Sequence, residues 1–302
     1  MTIVCATHFS DSSFAAIKAA AALARAHHEP LYLVSVLPTG VLSRARTEQE
    51  SGDALRLEAS ALVDSGIQVQ TAVLHGPLDS MLQQFCRETE ANLLVIGEPR
   101  QPAISLFTGP FDALTNVIDI PLLVVRDPEP FEAWATGPKP LKVMLAIDHT
   151  WSSARARDWL EQLAEYGALD VVATFVWWPA DEYRRRGLEE PPAGDAHEVL
   201  SAQLHREVRT ELIKLPRNVA RRIHLEIANS HVAERLVIIA AVEQVDVLVM
   251  GSHPGLGPLA RLRSMTHDII ADAPMSVACV PSPVEETSAP VVAADAGAAH
   301  AR

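Results

Sequence analysis

The feature that most constrains this chain is that its plan is written twice. Residues 3–8 read IVCATH and residues 142–148 read KVMLAID. Residues 91–97 read ANLLVIG and residues 245–251 read VDVLVMG, while 121–125 read PLLVV and 276–280 read SVACV. From His8 to Asp148 the offset is 140 residues, and at the two later pairs it is 154 to 155. An offset that shifts once and then holds means one insertion in the second copy. The polar, proline-rich run 177–195, WWPADEYRRRGLEEPPAGD, is its expected place. Self-similarity of this kind implies one supersecondary plan used twice.

Within each copy, short apolar runs alternate with helical patterns. Residues 3–7 are too short and too apolar for a helix, so they predict a strand. Asp11 or Ser12 is the expected cap for a helix whose apolar face is Phe14, Ile17, Ala21, Leu23 and Ala24. Further strands are predicted over 31–37, 68–74, 93–96 and 122–125, with helices over 47–65, 78–90 and 111–117. The second copy predicts strands over 143–147, 170–175, 222–228, 247–250 and 277–280, with helices over 153–166, 196–214, 232–245 and 265–272. Apolar strands separated by helices imply a parallel sheet covered on both faces, with right-handed crossovers. In such sheets ligands lie outside the carboxyl ends of the strands, where the strand order reverses. The domain boundaries follow as 1–126 and 141–281. Asp127 to Pro140 is a proline-rich linker, and 282–302 is a tail expected to be mobile.

Charge narrows the function classes. Lys and Arg total 25 against 38 Asp and Glu, a formal net charge of -13. Nucleic acid and anionic membranes both demand a basic face, so neither is an expected partner. The lysines are Lys18, Lys139, Lys142 and Lys214, so lysine-dependent chemistry has few candidates. Cys5, Cys86 and Cys279 are odd in number, far apart and without zinc spacing, which fits a reducing compartment. No signal peptide or membrane span is expected, and the predicted location is cytoplasmic.

The order of the motifs resembles the universal stress protein family in its tandem two-domain form. ATHFSDSSFAAIKAAAALAR and LYLVSVLP carry the resemblance in the first copy, and AIDHTWSSARARDWL, VDVLVMGSH and ADAPMSVACV carry it in the second. It covers nearly all of residues 1–281. The resemblance implies two doubly wound, flavodoxin-like α/β domains packed as a pseudo-dimer, with residues 122–125 and 277–280 associating. It also implies a stress-response or regulatory role. Family members that bind ATP have an aspartate after strand one. After strand four they have Gly-x-x-Gly, nine residues, then Gly-Ser or Gly-Thr. Glycines there let backbone N–H groups approach phosphate oxygens beside a helix start.

Against that pattern the first copy has His8 for the aspartate, Gly97 followed by Glu98, Arg100 for the second glycine, and Thr108-Gly109-Pro110 later. It reads as non-binding, because Glu98 would face phosphate with like charge. The second copy keeps Asp148, Gly251, Ser252 and His253, but Pro254 replaces the second glycine and removes a donor. Arg263-Ser264 stands where Gly-Ser would, one residue short. At most one degenerate adenine-nucleotide site is expected, in the second copy, for ATP or another adenine nucleotide with Mg²⁺, and otherwise no cofactor. Asp148 would contact the nucleoside, and Gly251, Ser252, His253, Arg263 and Ser264 would line the phosphate side.

Other features are weighed against simpler readings. Gly255-Leu256-Gly257 imitates a dinucleotide fingerprint but follows a fourth strand, so it reads as a loop. His8, His75, His149 and His253 cluster after strands, yet none share a ligand spacing, so they read as solvent-facing or hydrogen-bonded and no metal is expected. The cysteines read as core. Of Trp177 and Trp178, one is expected on the sheet and one over the inserted loop. Arg184-Arg185-Arg186 reads as a solvated loop. The chain is therefore expected to be no enzyme, but a regulatory protein with unidentified protein partners that can also form a homodimer. Two alternatives remain: a ligand-free interaction scaffold, and a slow ATP-hydrolysing or phosphate-transferring enzyme.

Overall fold

Strand β1 (Ile3–Ala6) shows why the short apolar runs become strands. Ile3, Val4 and Cys5 are all fully buried, so consecutive side chains need cover on both faces. An extended strand inside a layered sheet gives that cover. The computed structural model describes residues 2–38, 47–98, 110–137, 139–189, 196–228, 230–252 and 265–282. The tail beyond Ser282 lies outside them.

After β1 come α1 (Asp11–His27), β2 (Leu31–Leu37), α2 (Glu48–Asp64), β3 (Val69–His75), α3 (Leu78–Glu88), β4 (Leu93–Gly97), α4 (Pro110–Val117) and β5 (Leu122–Val125). Helix α5 (Glu129–Thr136) follows, then β6 (Leu141–Ala146), α6 (Trp151–Leu163), β7 (Leu169–Trp177), α7 (Pro179–Arg185) and α8 (Ala196–Leu212). The chain continues through β8 (Ala220–Ile227), α9 (Val232–Val242), β9 (Val247–Ser252), α10 (Met265–Asp272) and β10 (Ser276–Pro281). The ten strands form one sheet, ordered β3-β2-β1-β4-β5-β10-β9-β6-β7-β8. Each half is parallel and doubly wound, as expected. The halves meet where β5 and β10 run antiparallel, with Val124 opposite Val277, Leu123 opposite Ala278 and Leu122 opposite Cys279. Every residue of both strands is buried.

Two helix layers cover the sheet, and each layer's core runs across both halves. One holds Ile17, Leu23, Phe131, Trp134, Trp159 and Leu204, and the other holds Leu82, Leu114, Leu236 and Ile269. The three cysteines are buried and free. Burial pushes the Cys279 thiol up to about 12. Burial does the same to Cys86, with help from Asp119, and holds Cys5 well above the ordinary thiol range. Such thiols are inert core groups.

Three local expectations change. First, the α1 cap is Ser10, whose hydroxyl accepts from the Ser13 N–H, rather than Asp11 or Ser12. Phe9, at φ 63°, turns the chain so that Ser10 is extended at the cap position. Asp11 then sits in the first turn, where its charge suits the helix dipole. Second, the linker is not extended. Its residues form α5, burying Phe131 and Trp134, and the Trp134 indole donates to the Ala168 carbonyl at 2.9 Å. Pro128 and Pro130 fall at the cap and in the first turn, where a missing N–H costs nothing. Third, the insertion contains α7, with Trp177 buried in the strand before it and Trp178 exposed at its cap.

His27, at the end of α1, is 5% exposed and lies 3.5 Å, centroid to centroid, from the Tyr166 ring that follows α6. Neither of its ring nitrogens has a hydrogen-bond partner. Burial lowers its pKa from the usual 6.5 to about 4. The unfolded chain therefore takes up this proton near 6.5, and the folded chain only near 4. The contribution of the neutral ring is intact above 6.5 and is lost as pH falls toward 4, by roughly 3 kcal/mol at most. Urea unfolding at pH 7 and pH 4.5 is expected to show a smaller acid loss for His27→Leu than for the wild type.

Candidate functional site

The turn from β6 into α6 builds the predicted site. Asp148 is exposed at the carboxyl end of β6, and its Oδ1 accepts from the Thr150 N–H at 3.0 Å and the Thr150 hydroxyl at 2.6 Å. Thr150 caps α6 by accepting from the Ser153 N–H, and the Ser152 hydroxyl lies 2.7 Å from it. Between them, His149 takes φ 60°, as Phe9 does at the matching place in the first half. A left-handed backbone at a residue with a side chain is strained, and persists only where its surroundings fix it.

Those surroundings are partly the insertion. The His149 ring meets Phe175 edge-on at 4.7 Å, and its Nε2 lies 3.6 Å from the Glu207 carboxylate on α8. Burial lowers the His149 pKa, Arg185 lowers it further, and Glu207, Glu182 and Asp148 oppose. Glu207 also accepts from Arg186 at 2.7 Å and Arg185 at 3.3 Å, while the buried Glu182 accepts from Arg185 at 2.8 Å. The arginines expected in a solvated loop thus fasten α7 to α8 beside His149. Their i, i+3 and i, i+4 spacing from Asp181 and Glu182 was a readable sign of helix. Glu207, 21 residues beyond Arg186 and on another helix, carried no sequence signal.

Gly251, the next-to-last residue of β9, lies against the start of α6. A Cβ there would stand 2.3 Å from the Ser152 carbonyl carbon. In the first half, a Cβ on Gly97 would stand 2.2 Å from the Ser12 carbonyl oxygen. Both glycines are thus required by close strand–helix packing, before any phosphate is considered. Ser252 is buried at the end of β9, opposite Pro281, and its carbonyl accepts from the Ser282 N–H. His253, Arg263 and Ser264 lie outside the described residues. The structure therefore sets Gly251 against the start of α6 and places Asp148 in the turn that leads into that helix. Among the described residues, Asp148 offers an exposed carboxylate beside the first turn of α6.

In the first half, His8 is held by Ser13, whose hydroxyl lies 2.8 Å from His8 Nδ1 and accepts from the His8 N–H. Glu98 is ion-paired with Arg126, which also donates to the Ile270 carbonyl of α10. The Glu98 charge is thus offset within the first half, and the Arg126 bond to Ile270 crosses the junction of the halves. His75 lies 3.4 Å from Glu48. Among the described residues, no three metal-ligating side chains come together, and no helix is long and apolar enough to cross a membrane. Two clefts lie elsewhere, at the outer sheet edges. One of about 540 Å³ runs between α8 and β8, and one of about 590 Å³ between α2 and β3.

Gly251→Ala and Gly97→Ala are expected to lower stability by about 3 kcal/mol or more, since backbone rather than a flexible tip meets the new methyl. Thermal melts check this. A ligand-only role for either glycine predicts an unchanged melt.

Comparison with known proteins agrees with this architecture. The model of the universal stress protein family matches residues 1–126 and again 141–281. A universal stress protein from Archaeoglobus fulgidus DSM 4304 is similar in structure, with TM-score 0.67 at 12% identity, covering 93% of this chain and 98% of that one. A putative universal stress protein from Pseudomonas aeruginosa UCBPP-PA14 has TM-score 0.59 at 13% identity, covering 95% of each chain. No protein of curated function matches the sequence. With two family domains in one chain and the last strand of each paired with the other, this chain belongs to the universal stress protein family as a tandem, two-domain member.

Proposed function

We propose that this chain is a non-enzymatic regulatory protein of the universal stress type, with one weak adenine-nucleotide site in its second half. The exposed Asp148 carboxylate carries the reading. Its Oδ1 is used locally by Thr150, and that bond orients the group at the carboxyl edge, beside the start of α6. A carboxylate fixed in this way suits the hydroxyls of a ribose. At the matching place the first half has His8, tied to Ser13. Phosphate contacts in this reading fall to His253, Arg263, Ser264 and the N–H groups of the first α6 turn.

Calorimetric titration with Mg-ATP, and in parallel with AMP, tests the proposal. The expected result is saturable heat near one site per chain, lost in Asp148→Ala and kept in His8→Ala. Melting curves would show that both variants fold. Steady ATP turnover that disappears in Asp148→Ala would make the chain an enzyme instead.

A second reading, a ligand-free scaffold, is favoured by a separate observation. Packing alone explains Gly251, and the ion pairs that fasten α7 to α8 stand beside His149. Absence of heat up to millimolar ligand would select it.

A further inference from the structure

Among the described residues, β8 is a free edge of the sheet, with β7 on one side and no strand on the other. Its central sequence, Arg222-Ile223-His224-Leu225-Glu226, is self-complementary when read antiparallel to itself. We propose that β8 pairs with β8 of a second copy of this chain about a two-fold axis at His224, joining two ten-stranded sheets edge to edge.

The argument rests on which side chains share a face. Side chains alternate along a strand, so Arg222, His224 and Glu226 point to one side and Ile223 and Leu225 to the other. The contacts agree. Arg222 meets Glu243 at the end of α9 at 2.8 Å, and Glu226 is ion-paired with Arg235 of α9. Ile223 and Leu225 pack against the core on the α8 side. With His224 on the axis, Arg222 of each copy faces Glu226 of the other, and Ile223 faces Leu225. Opposite charges meet on one face and apolar groups on the other, twice each by symmetry.

Other registers lose this match. A shift of one residue sets Ile223 against His224, and moves every pair out of its layer. The opposite free edge, β3, reads VQTAVLH, and the same operation about Ala72 sets Gln70 against Leu74 and Thr71 against Val73. Charged residues on an edge strand usually discourage pairing. On β8 the two signs stand symmetrically about the centre, so they favour one partner, the strand itself. The cleft beside this edge has Leu225 and Ile227 in its wall, and a second copy's strand would cover them.

The test is sedimentation of the full chain over a concentration series. The wild type is expected to form a reversible dimer. Arg222→Glu and Glu226→Arg each place like charges opposite one another and should weaken association by about tenfold or more. Mixing the two variants restores both opposite-charge pairs, so the mixture should dimerise where neither variant does. Directly opposed residues of antiparallel strands have Cα atoms about 4.5–5.5 Å apart, within reach of a disulfide. Mild oxidation should therefore cross-link His224→Cys into a dimer and leave Ala72→Cys uncross-linked. Circular dichroism melts separate a lost contact from a lost fold, and the cross-link stands if a charge variant fails to fold. A wild type that stays monomeric at every concentration overturns the proposal. So does a dimer that neither charge reversal weakens, or an Ala72→Cys cross-link in place of His224→Cys.

Discussion

Each half of this chain, taken alone, would end in a strand with no polar face to show to water. Leu122, Leu123, Val124 and Val125 are buried to the last residue, and so is the run from Ser276 to Pro281. An apolar edge with open backbone groups invites pairing with any available strand. The chain answers this by supplying the partner itself, antiparallel and in fixed register. Other contacts follow from that junction. Arg126 reaches α10 of the other half and holds Glu98, and α5 packs against α1 of the first half and beside β6 of the second. Each helix layer's core draws buried residues from both halves.

The second organising constraint is the close approach of the fourth strand to the first helix in each half. Gly97 and Gly251 make room for the backbone of Ser12 and Ser152, and Phe9 and His149 supply the left-handed turn that brings those serines in. These features occur in both halves, although His8 stands where the second half has Asp148. They belong to the fold. Chemical differences between the halves include the side chain after the first strand, the residue after each packing glycine (Glu98 or Ser252) and the insertion that follows β7.

The fold was legible because its signals are local and repeated. The apolar runs at Ile3, Leu93, Val143 and Val247 set the strands, and the pairing of the last strands followed from the resemblance. The helix over 129–136 was hidden because Pro128 and Pro130 suggested a break, and only their position in a first turn reverses that meaning. The site was less legible. Asp148 stood out by residue type alone, and its oriented carboxylate depends on Thr150. Gly251 matched a ligand motif while serving packing. The Glu98–Arg126 pair and the approach of Glu207 to His149 join residues 28 and 58 positions apart, and such pairings arise only from tertiary structure.

The antiparallel junction has one more consequence. Strands of the first half point their carboxyl ends one way, and strands of the second half point theirs the other way. The His8 turn and the Asp148 turn therefore open on opposite rims of the molecule. The repeated plan thus presents its two equivalent turns at opposite poles rather than along one edge. One pole carries an imidazole held by Ser13, and the other an exposed carboxylate held by Thr150.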